Sequence, residues 1–209
     1  MLIYLIILSI EINMNITEIS NFFKSNGNIV SADIAKRNNI NSATLAYWTK
    51  KGVLEKVERG VFILSNSIED EFVTYQTVYK KGIYSLQSAL YLLLLTDRTP
   101  FNFTMTFPSH YNVSAPKRKG IICNQVKEEF FELGKTSANT IFGNTVFCYN
   151  AERTLCDIIK KTNNVDIETI TTAFKMYATY KNKNLQNLAE YSKIFHVEKK
   201  IRSYMEVLL

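Results

Sequence analysis

The sequence predicts an α+β fold in two parts: an N-terminal winged helix-turn-helix, then a C-terminal domain of a small mixed β-sheet and a helical bundle. Three observations predict it. Residues 28–64 read as helix, tight turn, helix and two short apolar strands that meet at Glu58-Arg59-Gly60, which is the element order of a winged helix-turn-helix. Residues 101–149 carry runs rich in Ile, Val, Phe and Tyr, the residues that suit a pleated, half-buried surface. From Asn150 onward the chain reads as four helical segments.

Taken in order, Ile19, Phe22 and Phe23 stand at i, i+3 and i+4 and predict a helix over 17–25. Asn26-Gly27-Asn28 stops it with residues that tolerate left-handed backbone. Ile29-Val30 is a very short strand. Ser31 is the N-cap of a second helix running to Arg37, with Asp33 at its positive end. Asn38-Asn39-Ile40-Asn41 has turn chemistry. Ser42 or Asn41 caps a third helix that reaches Lys51 and ends at Gly52. Val53, Leu54 and Val57 then pair with residues 61–64 across the Glu58-Arg59-Gly60 turn, forming the wing.

The polar stretch 65–71 is taken as the junction, giving domains 14–67 and 68–209. A helix over 70–80 is read as bridging the two halves. Ser85 caps an apolar helix, LQSALYLLLLT. Strands are expected at 101–107, 120–126, 130–133 and 139–149, and helices at 151–161, 166–181, 185–195 and from 198 to the end. Residues 1–13 open with an apolar run of about ten residues, half of the roughly 20 needed to span a bilayer. They lack the cations and small residues of a signal peptide. They are read as an apolar leader or an upstream-start extension, with Met14 as the natural start.

The chain of 209 residues has a net charge of +6, compatible with nucleic acid without being diagnostic. Residues 14–68 carry seven cations against four carboxylates. The three cysteines, Cys123, Cys148 and Cys156, are widely spaced, and the only histidines are His110 and His196. That pattern argues against a disulfide framework or zinc site and for a reducing cytoplasm. No metal, cofactor or membrane partner is expected.

In SATLAYWTKK, Leu45 and Trp48 lie three apart and face the core, with the indole N–H toward an edge. Ser42, Thr44, Tyr47 and Lys51 then face a DNA groove, with Asn41 at the helix start. Arg59 at the wing tip, preceded by Lys56, suits the narrow minor groove, unless it pairs with Glu55 or Glu58. Lys36 and Arg37 end the second helix as phosphate contacts. An enzyme is not expected. Glu152 and Asp157 are five apart and do not share a helix face, and Arg153 with Asp157 reads as a surface pair worth a few tenths of a kcal/mol. Lys127, Glu128 and Glu129 are the only loose candidates for metal-assisted chemistry.

Residues 27–64 resemble the N-terminal winged helix of AbiEi-type antitoxins, from the type IV abortive-infection toxin–antitoxin systems of bacteria. Leu45, Trp48, Gly52-Val53-Leu54 and Arg59-Gly60-Val61-Phe62 carry the resemblance, with Phe62 where Tyr is usual. The segments 84–90, 104–108 and 146–157 are similar to later family motifs, the last ending in Ala151-Glu152-Arg153-Thr154-Leu155-Cys156-Asp157. The resemblance covers the chain after Met14. It implies a cytoplasmic phage-defence antitoxin that counteracts a nucleotidyltransferase-type toxin without a stable complex. It also implies repression of its own operon through inverted-repeat promoter DNA, with DNA binding in the N-terminal domain and antitoxicity in the C-terminal one. The alternative is a stand-alone winged-helix regulator whose C-terminal domain dimerises or binds a ligand.

Overall fold

The computed structural model describes residues 14–208, which form a mixed α+β structure with two separate sheets. The apolar leader at 1–13 lies outside the described residues. The chain divides after Lys80 into two compact units.

The first unit begins with α1 (Ile16–Ser25). Asn15 accepts from the backbone of Thr17 and Glu18, and Glu18 accepts from the Asn15 N–H at 2.8 Å, a reciprocal cap that satisfies free helix-end donors. Then follow β1 (Ile29–Ser31), α2 (Ala32–Arg37), α3 (Ser42–Lys50), β2 (Leu54–Glu58) and β3 (Val61–Leu64). The strands form an antiparallel sheet in the order β1-β3-β2, with Ile29 opposite Ile63 and Leu54 opposite Leu64. A bulge lies between Lys56 and Glu58.

Alternation along a strand sends successive side chains to opposite faces. Phe62 and Leu64 pack with Ile19, Phe23, Ala35 and Leu45 on one face. Val61 and Ile63 pack with Ile29 on the other, where Val73 and Val78 cover them. Those two valines belong to α4 (Glu71–Val78). The junction expected at 67 is therefore displaced to 80. A strand apolar on both faces needs two covers, and α4 is the second.

The second unit contains β4 (Ile83–Tyr84), α5 (Leu86–Leu92), β5 (Thr104–Pro108), α6 (Ser114–Arg118), β6 (Ile122–Val126), α7 (Glu128–Phe131), β7 (Lys135–Asn139) and β8 (Thr145–Tyr149). After them come α8 (Ala151–Ile158), a 3-10 turn (Lys161–Asn163), α9 (Ile167–Ala178), α10 (Leu185–Ile194) and α11 (Glu198–Leu208). The sheet order is β6-β5-β4-β8-β7, with parallel pairs β4–β8 and β5–β6 and antiparallel pairs β4–β5 and β7–β8. Leu86, Leu90, Leu155, Ile158, Phe174, Tyr177, Leu188 and Ile201 share one core.

Three expectations are corrected here. The strand expected at 130–133 is instead the short helix α7 and the turn after it. The carbonyls of Phe130, Phe131 and Leu133 are satisfied by side chains of Arg153 and Tyr149, not by a neighbouring strand. The strand expected at 139–149 is a hairpin, turned at Thr140–Asn144 with Gly143 at φ +80°. Its first strand, KTSAN, is polar because it lies at the sheet edge. The apolar helix after Ser85 stops at Leu92, where Leu94 takes φ +57°.

Candidate functional site

The second and third helices of the first unit are set by their caps. Ser31 Oγ accepts from the Ile34 N–H at 3.2 Å, and Asn41 Oδ1 accepts from the Thr44 N–H at 2.8 Å. The inward side of α3 carries Thr44 and Leu45, 3% and 2% exposed, with half-buried Trp48 packed on the same core. Its outward side carries Ser42, Ala43, Ala46 and Lys50, all exposed. At about 100° per residue these four form a single stripe. Tyr47 flanks it, edge-on to Trp48 with ring centroids 5.1 Å apart, and Lys51 Nζ lies 5.6 Å from the Tyr47 ring centroid.

This arrangement corrects three assignments. Thr44 is buried and faces the core, one turn before Trp48; its i,i+4 spacing from Trp48 was the available signal. Asn41 uses its side-chain oxygen as the helix cap, so that atom does not read a base. The Trp48 indole N–H does not reach an edge but is buried without a hydrogen-bond partner among the described residues. Lys50, Ala43 and Ala46 were missed, because Leu45 and Trp48 alone place the buried face too loosely.

The β2–β3 hairpin is fastened at its tip. Gly60 takes φ +73°, and its carbonyl accepts from the Ala32 N–H at 2.8 Å. Arg59 is exposed beside it and forms no ion pair among the described residues, with Glu55 and Glu58 included. Lys56 is exposed on β2. Lys36 and Arg37 are exposed at the end of α2, and neither joins an ion pair among the described residues. The nearby Asp33 is bound instead to Lys80, whose hydrogen bond and charge hold its carboxyl below the usual range. Beneath all three elements lies one core, containing Ala35, Leu45, Leu54 and Phe62. Seven outward candidates thus stand on a common support: Lys36, Arg37, Ser42, Tyr47, Lys51, Lys56 and Arg59.

In the second unit the Glu152, Arg153 and Asp157 motif is interior. All eight residues of α8 are buried. Arg153 is 0% exposed. Its Nε donates to Asp157 Oδ2 at 2.7 Å, and its Nη1 donates to the Phe130 and Leu133 carbonyls at 2.8 and 3.1 Å. The guanidinium lies between the rings of Tyr149 and Phe195, 4.5 and 4.2 Å from their centroids. Lys160 supplies a second cation to Asp157 at 2.6 Å. Glu152 accepts from the Tyr177 hydroxyl and the Asn184 N–H, both at 2.8 Å. Burial, then the Glu152 carboxylate, pushes the Tyr177 phenol up. The expected surface pair is therefore a buried one, because α7 and Phe195 cover it.

Lys127 approaches Glu129 at 3.8 Å in the open, where solvent screening leaves such a pair little weight. No cluster of three or more His, Cys, Asp or Glu side chains fit to hold a metal occurs among the described residues. No helix among them is long and apolar enough to cross a membrane.

The fold is similar to that in the crystal structure of the RV2827C protein from Mycobacterium tuberculosis, with a TM-score of 0.57 over 83% of this chain and 69% of that one. Identity is 10%, so the likeness speaks to fold alone. No family model matches the chain, and no curated protein matches it.

Proposed function

We propose that residues 14–80 are a winged helix-turn-helix that docks on duplex DNA, with α3 entering the major groove and the β2–β3 hairpin reaching the minor groove. One observation carries the reading: a capped helix with a solvent-facing stripe stands on the same core as a hairpin whose exposed tip is an arginine in no ion pair among the described residues. In this reading Lys36, Arg37, Lys50, Lys51 and Lys56 contact phosphates, and Arg59 enters the minor groove. Ser42 is the uncharged polar group on the stripe. Ala43 and Ala46 are too short to hydrogen-bond a base and suit contact with thymine methyls.

We further propose that the chain is a cytoplasmic AbiEi-type antitoxin. It represses its own operon through inverted repeats and counteracts a nucleotidyltransferase-type toxin without forming a stable complex. The supports are the motif order in the sequence and the two-unit division, which fits DNA docking in one unit and protection in the other.

Gel shifts on the promoter fragment test the first part. Lys50→Ala and Arg59→Ala should each lower the log-log salt slope by about one, and replacing thymine by uracil should weaken binding. Unchanged slopes in both variants sink the docking assignment. The second part is tested by co-expression with the product of an adjacent nucleotidyltransferase gene. Equal cell death with and without this chain removes the antitoxin reading.

A further inference from the structure

A groove of about 610 Å³ opens in the second unit beside the end of α8, the 3-10 turn and α11, within the roughly 300–1,000 Å³ of small-molecule sites. Its lining is chemically divided. Ile158, Ile159 and Ile170 give it an apolar floor, and Tyr204, stacked on Phe174 at 4.6 Å, gives it an aromatic wall. Lys160, Lys161 and Lys200 also line it, and no carboxylate does.

The local charge is not balanced. Asp157, which does not line the groove, is shared by Arg153 and Lys160, one carboxylate for two cations. Lys200 donates one N–H to the Ile159 carbonyl at 3.0 Å, and an ammonium has three donors. Lys161 is exposed and joins no ion pair among the described residues. Of the carboxylates nearby in sequence, Asp166 is bound to Thr169 at 2.8 and 2.7 Å, Glu168 to Arg98 at 2.5 Å, and Glu198 to Arg202 at 3.2 Å, while exposed Glu206, two residues beyond Tyr204, lies outside the lining. A concave surface of one sign over an apolar wall concentrates anions. A phosphate monoester carries about −1.5 to −2 at neutral pH and offers three acceptor oxygens, which answers several ammoniums better than a single carboxylate. The aromatic wall and isoleucine floor suit a flat ring.

We propose that this groove binds a nucleoside phosphate, its phosphate on Lys161 and Lys200 and its base against Tyr204 and the isoleucine floor. The site is independent of the DNA-docking surface of the first unit. The occupant is either a free mononucleotide or the phosphorylated end of a nucleic acid, which share this chemistry.

Calorimetric titration of the full chain with AMP and GMP tests it. Adenosine and guanosine serve as controls without phosphate, and ribose 5-phosphate as the control without a base. Nucleotide binding should weaken by about tenfold or more in the Lys161→Gln/Lys200→Gln variant, as expected when charge-assisted bonds are lost, with the circular dichroism spectrum unchanged. Tyr204→Leu should reduce the preference for AMP over ribose 5-phosphate. A single-stranded oligonucleotide with and without a 5′-phosphate separates the two sources. Phosphate-dependent binding tighter than that of AMP assigns a chain end, and weaker binding assigns the free nucleotide. Absence of binding at millimolar nucleotide, equal binding of the nucleosides, or equal affinity in the double-lysine variant overturns the proposal.

Discussion

Replacing Arg153 by alanine should cost the second unit about 3–5 kcal/mol, the range for removing one partner of a buried ion pair. The magnitude follows from what the guanidinium holds. It donates to Asp157, which is 6% exposed, and to two carbonyls of the α7 segment, and it fills the space between Tyr149 and Phe195. Each charge-assisted bond is worth about 1.5–3 kcal/mol by itself, but these losses share atoms and do not add. Against a domain stability of about 5–15 kcal/mol, the loss is large. Urea unfolding followed by far-ultraviolet circular dichroism is the assay. With a slope of about 2 kcal/mol per molar, the midpoint should fall by about 2 M. Arg153→Lys, which keeps the charge but not the planar fork, should recover only part of this. Arg153→Met combined with Asp157→Leu should be less harmful than Arg153→Ala, because no carboxylate is left buried and half-paired. A midpoint shift below about 0.5 M for Arg153→Ala would refute the reasoning.

Three further outcomes are expected. A fragment ending at residue 67 should be less stable than one ending at 80 by about 2 kcal/mol, because two partly buried valines each contribute less than the roughly 1.5 kcal/mol of full burial; Val73 and Val78 cover the second face of the sheet. Fluorescence of Trp48, the one tryptophan, reports this, and equal denaturation midpoints would remove α4 from the unit. Asp166→Ala should cost about 1 kcal/mol as a lost N-cap. Thr169 holds the Asp166 carboxyl below the usual range through its hydroxyl and its N–H. The contribution is therefore present above the unfolded value of about 3.9 and is lost as pH falls through the lower folded value. The thermal midpoints of variant and parent should differ at pH 6 and converge near pH 2; a constant gap counts against the cap. Burial pushes the Cys148 and Cys156 thiols up to about 12 and raises half-buried Cys123 as well. At pH 8 a thiol reagent should label Cys123 first and the other two only on unfolding. Because these pKa values are raised by folding, the thiol contribution to stability holds below the unfolded pKa of about 8.5 and is lost as pH rises above it. Rapid labelling of all three thiols in the folded chain would contradict their burial.

Local signals were the legible part of this chain. Ser31, Asn41 and Asn150 each announce a helix start, and each side chain accepts the expected backbone bond. Gly52 and Gly60 sit at φ +72° and +73°, where a helix end and a hairpin tip were anticipated. Long-range cover was not legible. The i,i+4 spacing of Arg153 and Asp157 reads as a surface pair until Phe130, Leu133 and Phe195 arrive from distant parts of the chain. The polar KTSAN strand carries no alternation that a single sequence reveals, because an edge strand has less to bury. Thr44 was misplaced for a smaller reason: two apolar residues fix a helix face only to within one neighbouring position.

The burial of α8 bears on where the function of the second unit is to be sought. Ala151-Glu152-Arg153-Thr154-Leu155-Cys156-Asp157 is the most recognisable motif of that half, yet every residue of it is interior. Glu152 fastens Tyr177 and the start of α10, Arg153 fastens α7, and Asp157 is held between two cations. Arg153 Nη2 has no hydrogen-bond partner among the described residues, but it is buried with the rest of the side chain, so the motif reports architecture and not a surface. The proposed docking and groove sites rest instead on exposed residues: the stripe on α3, the hairpin tip at Arg59, and Lys161 and Lys200 around the groove at Tyr204. Substitutions there should alter binding without loss of stability, whereas substitutions at Glu152, Arg153 and Asp157 should act through stability.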